Sequence, residues 1–211
     1  MNKYVTELIG TFFLVFTIGM TAVSGSTAAP LAIGAILMVM VYMGGHVSGA
    51  HYNPAVTLAV LMRGAMAKSD VVPYLVAQLL GATVAAATVF LLTGATFAPS
   101  PSAGGLEAVV AEALVTFALA LVVLHVATAE STKGNSYFGL AIGFTVLAGA
   151  YAVGGFSGGA FNPAVGIGPT LVDVVAGGGS LGDLWLYIVG PFAGAAAAVP
   201  VFRLQTGESA N

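Results

Sequence analysis

The 211-residue chain has no cysteine, only five Lys and Arg, eight Asp and Glu, three His and a single Trp. Without cysteine there is no disulfide framework and no thiolate metal site. Charged residues make up 6% of the chain, against roughly a quarter in soluble domains. So little polar surface cannot cover a globule in water. A hydrophobic content of 58% and a mean hydropathy of +1.01 instead suit a chain whose partner is the lipid bilayer. A net charge of −3 spread over so few groups gives no reason to expect nucleic acid as a partner. No Ser/His/Asp grouping and no metal-ligand spacing is present. The sequence therefore reads as a non-enzyme with no metal and no cofactor.

What the chain does have is apolar length. Six stretches approach the roughly 20 residues needed to cross a hydrocarbon core of about 30 Å. They lie near Tyr4–Ser24, Pro30–Gly45, Val71–Thr93, Leu106–Thr128, Tyr137–Gly155 and Leu184–Val201, the second and fifth being the short ones. The first run carries Glu7 and shares a pattern with the fourth, so it reads as a retained span and not a cleaved signal. With the N-terminus inside, Lys3, Arg63, Lys68, Lys133 and Arg203 all fall on the cytoplasmic side, and the opposite loops hold no Lys or Arg. This obeys the positive-inside rule and predicts that both termini are cytoplasmic.

The first half of the chain repeats in the second. Leu31-Ala32-Ile33-Gly34 is identical to Leu140-Ala141-Ile142-Gly143, and Thr6-Glu7-Leu8-Ile9 is echoed by Ala111-Glu112-Ala113-Leu114. Tyr74 and Gly81-Ala82 are matched by Tyr187 and Gly194-Ala195. Three spans per half is an odd number, so the second copy is inverted relative to the first, a plan shared by many transport proteins. The expectation is an all-α membrane protein, residues 1–211 forming a single domain with inverted repeats over about 1–99 and 104–203.

Each repeat holds one Asn-Pro-Ala, at Asn53-Pro54-Ala55 and Asn162-Pro163-Ala164. Asn is a favoured helix N-cap, and Pro at the first helical position loses no needed N–H. The apolar runs that follow, to Met62 and to about Leu171, are some ten residues each. At 1.5 Å per residue such a helix crosses about half the membrane. Six spans and two re-entrant half-helices result, with the two Asn meeting at the midplane. Each helix N-terminus carries roughly half a positive charge, so their convergence repels cations and protons. The segments leading in, Gly49-Ala50-His51 and Gly158-Gly159-Ala160, are not helical, and such backbone at membrane depth has to be buried in protein or line a cavity. Their carbonyls are expected to form an acceptor ladder along a pore. The buried carboxylates Glu7 and Glu112 are expected to brace these loops, and His51 to line the cytoplasmic half of the pore or brace its loop.

On these residues the sequence resembles the aquaporin, or major intrinsic protein, family over essentially its whole length. The resemblance implies six membrane helices with two re-entrant half-helices, one pore per subunit, a homotetramer, a cell-membrane location, and passive conduction of water or small neutral solutes. By spacing from the two boxes, the family's selectivity constriction falls on Ile33, Ala150, Gly159 and Val165. Most members carry Arg where this chain has Val165, so the ring here is wide and aliphatic and bears no charge. That departure favours solutes beyond water, such as ammonia, glycerol-like polyols or undissociated metalloid hydroxides, and one alternative is a channel chiefly for these with little water role. Another alternative is ion-coupled secondary transport on the same plan, although the midplane offers no acidic residue to bind Na⁺ or H⁺. A structural junction role is a third, which the short outer loops disfavour.

Overall fold

The computed structural model describes residues 1–207. Among these there are eight α-helices and no strand. Helix α1 spans Asn2–Val23, α2 Ala29–Ser48, α3 Pro54–Arg63, α4 Val71–Thr93, α5 Gly105–Val123, α6 Phe138–Ser157, α7 Pro163–Ala176 and α8 Leu186–Thr206. Six of the eight are long and apolar enough to cross a membrane, with α3 and α7 as the shorter apolar helices. The halves correspond helix by helix, α1 to α4 with α5 to α8. The α1–α4 contact of the first half is matched by α5–α8 in the second, and α2 packs on α6 across the junction.

Small residues set these crossings. At the α2–α6 crossing a Cβ on Gly34 would lie 2.8 Å from the Gly143 carbonyl oxygen, and one on Gly143 2.5 Å from that of Gly34. A Cβ on Gly81 would reach 2.5 Å from the Leu8 carbonyl in α1, and one on Gly194 would collide with backbone of Ala113 and Phe117 in α5. Lipid gives helices no hydrophobic drive to associate, so close backbone approach through glycine supplies the packing. The residues left outside these contacts are large and apolar, including Phe13, Val76, Leu91, Leu114 and Phe144, as a lipid-facing surface requires.

Several boundaries differ from those read in the sequence. Helices α2 and α6 are not short: each has 20 residues and continues beyond Gly45 and Gly155 to Ser48 and Ser157. They end where Gly49 and Gly158 take φ of 84° and 96°, a left-handed termination that glycine adopts without a Cβ clash. Helix α7 runs to Ala176, five residues past the expected end. Asp173 does not stop it, because the Thr96 hydroxyl donates to its carboxylate from the loop after α4, and Gly177 and Gly179 N–H donate to its carbonyl. Helix α5 continues as a π-helical turn over Leu124–Thr128, where the Thr132 hydroxyl donates to His125 O at 2.5 Å and Asn135 Nδ2 to Val126 O.

All five basic residues lie at one end of the bundle. Lys3 pairs with Asp70 beside Lys68, Lys3 and Lys133 face one cavity, and Arg203 donates to Met62 O next to Arg63.

Candidate functional site

The site is built where the two half-helices abut. Asn53 caps α3, its Oδ1 accepting from Ala55 N at 2.8 Å and Val56 N at 3.4 Å, and Asn162 Oδ1 accepts from Ala164 N at 2.9 Å. These caps turn each carboxamide oxygen toward its own helix and each NH₂ away from it. One N–H of each amide then crosses to the other half. Asn53 Nδ2 donates to Phe161 O and Asn162 Nδ2 to Tyr52 O, both at 2.9 Å. A carboxamide has two N–H donors, so one remains on each Asn. Pro54, Ala55, Pro163 and Ala164 are buried behind them in the first turns of α3 and α7.

The loops that deliver the two Asn are held from behind. On Glu7, Oε1 accepts from Ser48 Oγ at 2.7 Å and His51 N at 2.9 Å, and Oε2 from Tyr52 N at 2.7 Å and Gln78 Nε2 at 2.8 Å. Glu112 repeats the pattern, accepting from Ser157 Oγ, Ala160 N and Phe161 N at 2.7, 3.1 and 2.6 Å. Both carboxylates are fully buried. Ala50, Tyr52 and Phe161 stand at φ near +50°, which is costly for residues with a Cβ, and their loops are pinned there by these hydrogen bonds. Tyr74 and Tyr187 add matching anchors, their hydroxyls donating to Ser48 O and Ser157 O at 2.7 and 2.8 Å.

Two cavities meet at this junction. The first, about 290 Å³, is lined by Ile33, Ala150, Gly159 and Val165 together with Ala50, Asn53, Gly158, Ala160 and Asn162. The second, about 790 Å³, opens among the basic residues and is lined by Gly49, His46, Lys3 and Lys133. His51, Val123 and Ile142 line both. Among the described residues, the carbonyl oxygens of Gly49, Ala50, His51, Gly158, Gly159 and Ala160 accept no hydrogen bond. Each is therefore left for something in the cavity, or is unpaired. The first cavity is thus bounded by the two Asn amides, by loop backbone with unpaired carbonyls and by mostly apolar side chains, whereas charged and polar side chains join the lining of the second.

The structure thus places the two Asn, their lead-in loops and Ile33, Ala150, Gly159 and Val165 on two cavities that share lining residues, with Glu7 and Glu112 behind the loops and Pro54, Ala55, Pro163 and Ala164 buried in the half-helices. His125 is apart, its Nε2 2.8 Å from Gln205 Oε1. Sequence reasoning missed Gln78 and Thr57, and it took Tyr74 and Tyr187 only as marks of the repeat. The signal available for the first two was a polar side chain in an otherwise apolar helix.

The chain matches the family model described as major intrinsic protein over residues 1–202. It is 38% identical to an Oryza sativa subsp. japonica protein called aquaporin NIP1-1, over 97% of this chain and 74% of that one. It is also 38% identical to the glycerol uptake facilitator protein-like 6 of Lactiplantibacillus plantarum, over 99% of this chain and the whole of the relative. The fold is that of a solved aquaglyceroporin from Plasmodium falciparum, with a TM-score of 0.83 at 24% identity, covering 96% of this chain and 98% of that one. Two capped half-helices meeting between two cavities, inside an inverted repeat that this family model spans almost entirely, place the chain in the major intrinsic protein family, whose members are channels and not enzymes.

Proposed function

We propose that the two cavities form one continuous pore for water and small uncharged solutes, with residues 1–211 as a single channel domain of two inverted repeats, about 1–99 and 104–203. The observation that carries this reading is that His51, Val123 and Ile142 line both cavities, beside the paired Asn53 and Asn162. A solute passing here exchanges hydration for the spare N–H of each Asn and for the free loop carbonyls, while the apolar wall offers nothing to an ion's full shell. Two helix N-termini, each worth about half a positive charge, set a barrier to cations and protons at the same point.

The ring of Ile33, Ala150, Gly159 and Val165 acts as the constriction. None of these side chains can donate a hydrogen bond or carry a charge, so the ring selects by size and polarity alone. This fits hydroxylated or amide-bearing neutral solutes as well as water. Names of relatives point the same way, one being an aquaporin and another a glycerol uptake facilitator. The subunit works as a homotetramer in the cell membrane, and the end carrying the five basic residues, with both termini, faces the cytoplasm.

Proteoliposome light scattering across water, glycerol, urea and ammonia, with a proton-leak control, tests the function. The reading expects non-saturating uptake of water and at least one larger neutral solute, independent of Na⁺ and pH gradients. Saturation, or dependence on an ion gradient, would instead indicate a coupled transporter.

A further inference from the structure

The first half of the site contains a hydrogen-bond relay that the second half lacks. It runs from Glu7 through Gln78 and Thr57 to His51. Gln78 Nε2 donates to Glu7 Oε2 at 2.8 Å and to Thr57 Oγ1 at 3.0 Å, and Thr57 Oγ1 lies 3.1 Å from His51 Nδ1. The repeat puts Ala160, Gly166 and Pro191 at the corresponding positions of the second half, and none can continue such a chain.

The direction of every proton in the relay follows from its starting point. Four donors converge on the two oxygens of Glu7, filling the lone pairs of a carboxylate. Gln78 must therefore turn its NH₂ toward Glu7, even though its buried Oε1 is left without a partner. The second amide proton then points at Thr57 Oγ1, which accepts it. The Thr57 hydroxyl has one proton of its own and two acceptors within reach, Asn53 O at 3.0 Å and His51 Nδ1. Given to His51, it would leave Thr57 Oγ1 and Asn53 O 3.0 Å apart with no proton between them, Asn53 O keeping only the Thr57 N–H. Given to Asn53 O, it lets Thr57 Oγ1 accept from both Gln78 and a protonated Nδ1, one more hydrogen bond in a buried site.

We infer that the relay holds His51 as the neutral Nδ1–H tautomer, so that its bare Nε2 is a fixed hydrogen-bond acceptor on the wall where the two cavities join. Among the described residues Nε2 has no hydrogen-bond partner, and the ring is held by Tyr74 at a centroid distance of 5.1 Å. Placed on one side of the Asn pair and absent from the other, this acceptor distinguishes solutes that bring an O–H or N–H proton from those that do not. Gln78 and Thr57 are positioning residues for it. The selectivity role rests on the pore proposed above, whereas the tautomer does not.

The test is solid-state NMR of protein labelled with ¹³C,¹⁵N-histidine in lipid, using a His46→Gln/His125→Gln background so that only His51 reports. The nitrogen correlated with Cδ2, Nε2, is expected in the pyridine-type range, and Nδ1 in the pyrrole-type range. Thr57→Val should convert part or all of the population to Nε2–H, and Thr57→Ser should restore the parent spectrum. A protonated Nε2 in the background protein overturns the inference even if Thr57→Val fails to assemble, and an unchanged tautomer in a folded Thr57→Val overturns the relay. In liposomes, His51→Leu should lower glycerol uptake by about fivefold, the effect of one hydrogen bond. Unchanged uptake in that variant overturns the selectivity role and leaves the pore itself standing.

Discussion

Glu7 and Glu112 are buried carboxylates in apolar spans, an arrangement that lipid penalises unless every lone pair is used. Here they accept from loop N–H groups that no helix can satisfy, which keeps Ala50, Tyr52 and Phe161 in left-handed backbone. Removing the carboxylate strands those donors. Each buried donor left unpaired costs about 1–3 kcal/mol, so Glu112→Ala is expected to lose on the order of 3 kcal/mol or more from the three contacts it makes. Thermal unfolding in detergent should show the loss, and an unchanged midpoint would mean that the Ser157–Phe161 loop is held by something else. These two residues were legible because an acidic side chain inside an apolar run is too costly to stand without a buried partner. Gln78 and Thr57 were not, because the role of one depends on a partner 71 residues away and that of the other on where a single proton sits.

The helices were legible in number and order from apolar length and from the repeat, and less so at their ends. Gly45 and Gly155 look like stops in a sequence, yet in lipid a glycine inside a helix is a packing surface, and α2 and α6 pass through both. The end of α7 was misjudged for a different reason. Asp173 reads as a solvated loop charge until Thr96, 77 positions earlier in the chain, is seen to donate to it. At the helix crossings the prediction is steric. A Cβ at Gly194 would meet backbone of α5, which cannot yield as a flexible side chain can. Gly194→Val should therefore part α5 from α8 and yield aggregated or polydisperse protein on size exclusion. Gly64→Val meets nothing within 4 Å and should remain monodisperse, at a cost of roughly 1–2 kcal/mol for its left-handed φ of 84°.

At the scale of the whole molecule, charge and the odd number of spans per repeat fix the design. The five basic residues gather at one end, so orientation can be tested directly in a chain that has no cysteine. A single Cys at exposed Ser180, in the loop between α7 and α8, should react with membrane-impermeant maleimide added outside intact cells. One at exposed Ser131, between α5 and α6, should react only after the cells are opened. The reverse pattern would invert the proposed orientation. The paired Asn-Pro-Ala boxes, readable in the sequence alone, account for how two half-helices meet and for the cation barrier proposed at that point. The proposed constriction lies elsewhere, at four residues that come from α2, α6, the second loop and α7.

In the proposed ring Val165 is buried against the cavity, and a charged side chain there would narrow it. The decisive measurement is stopped-flow uptake of water and glycerol into proteoliposomes carrying the parent protein or Val165→Arg. A wide aliphatic constriction predicts that the parent passes both without leaking protons, and that Val165→Arg keeps most water flux while losing glycerol uptake by about tenfold or more, the effect of about 1.4 kcal/mol of added barrier. Equal glycerol uptake by a folded Val165→Arg and its parent would contradict it.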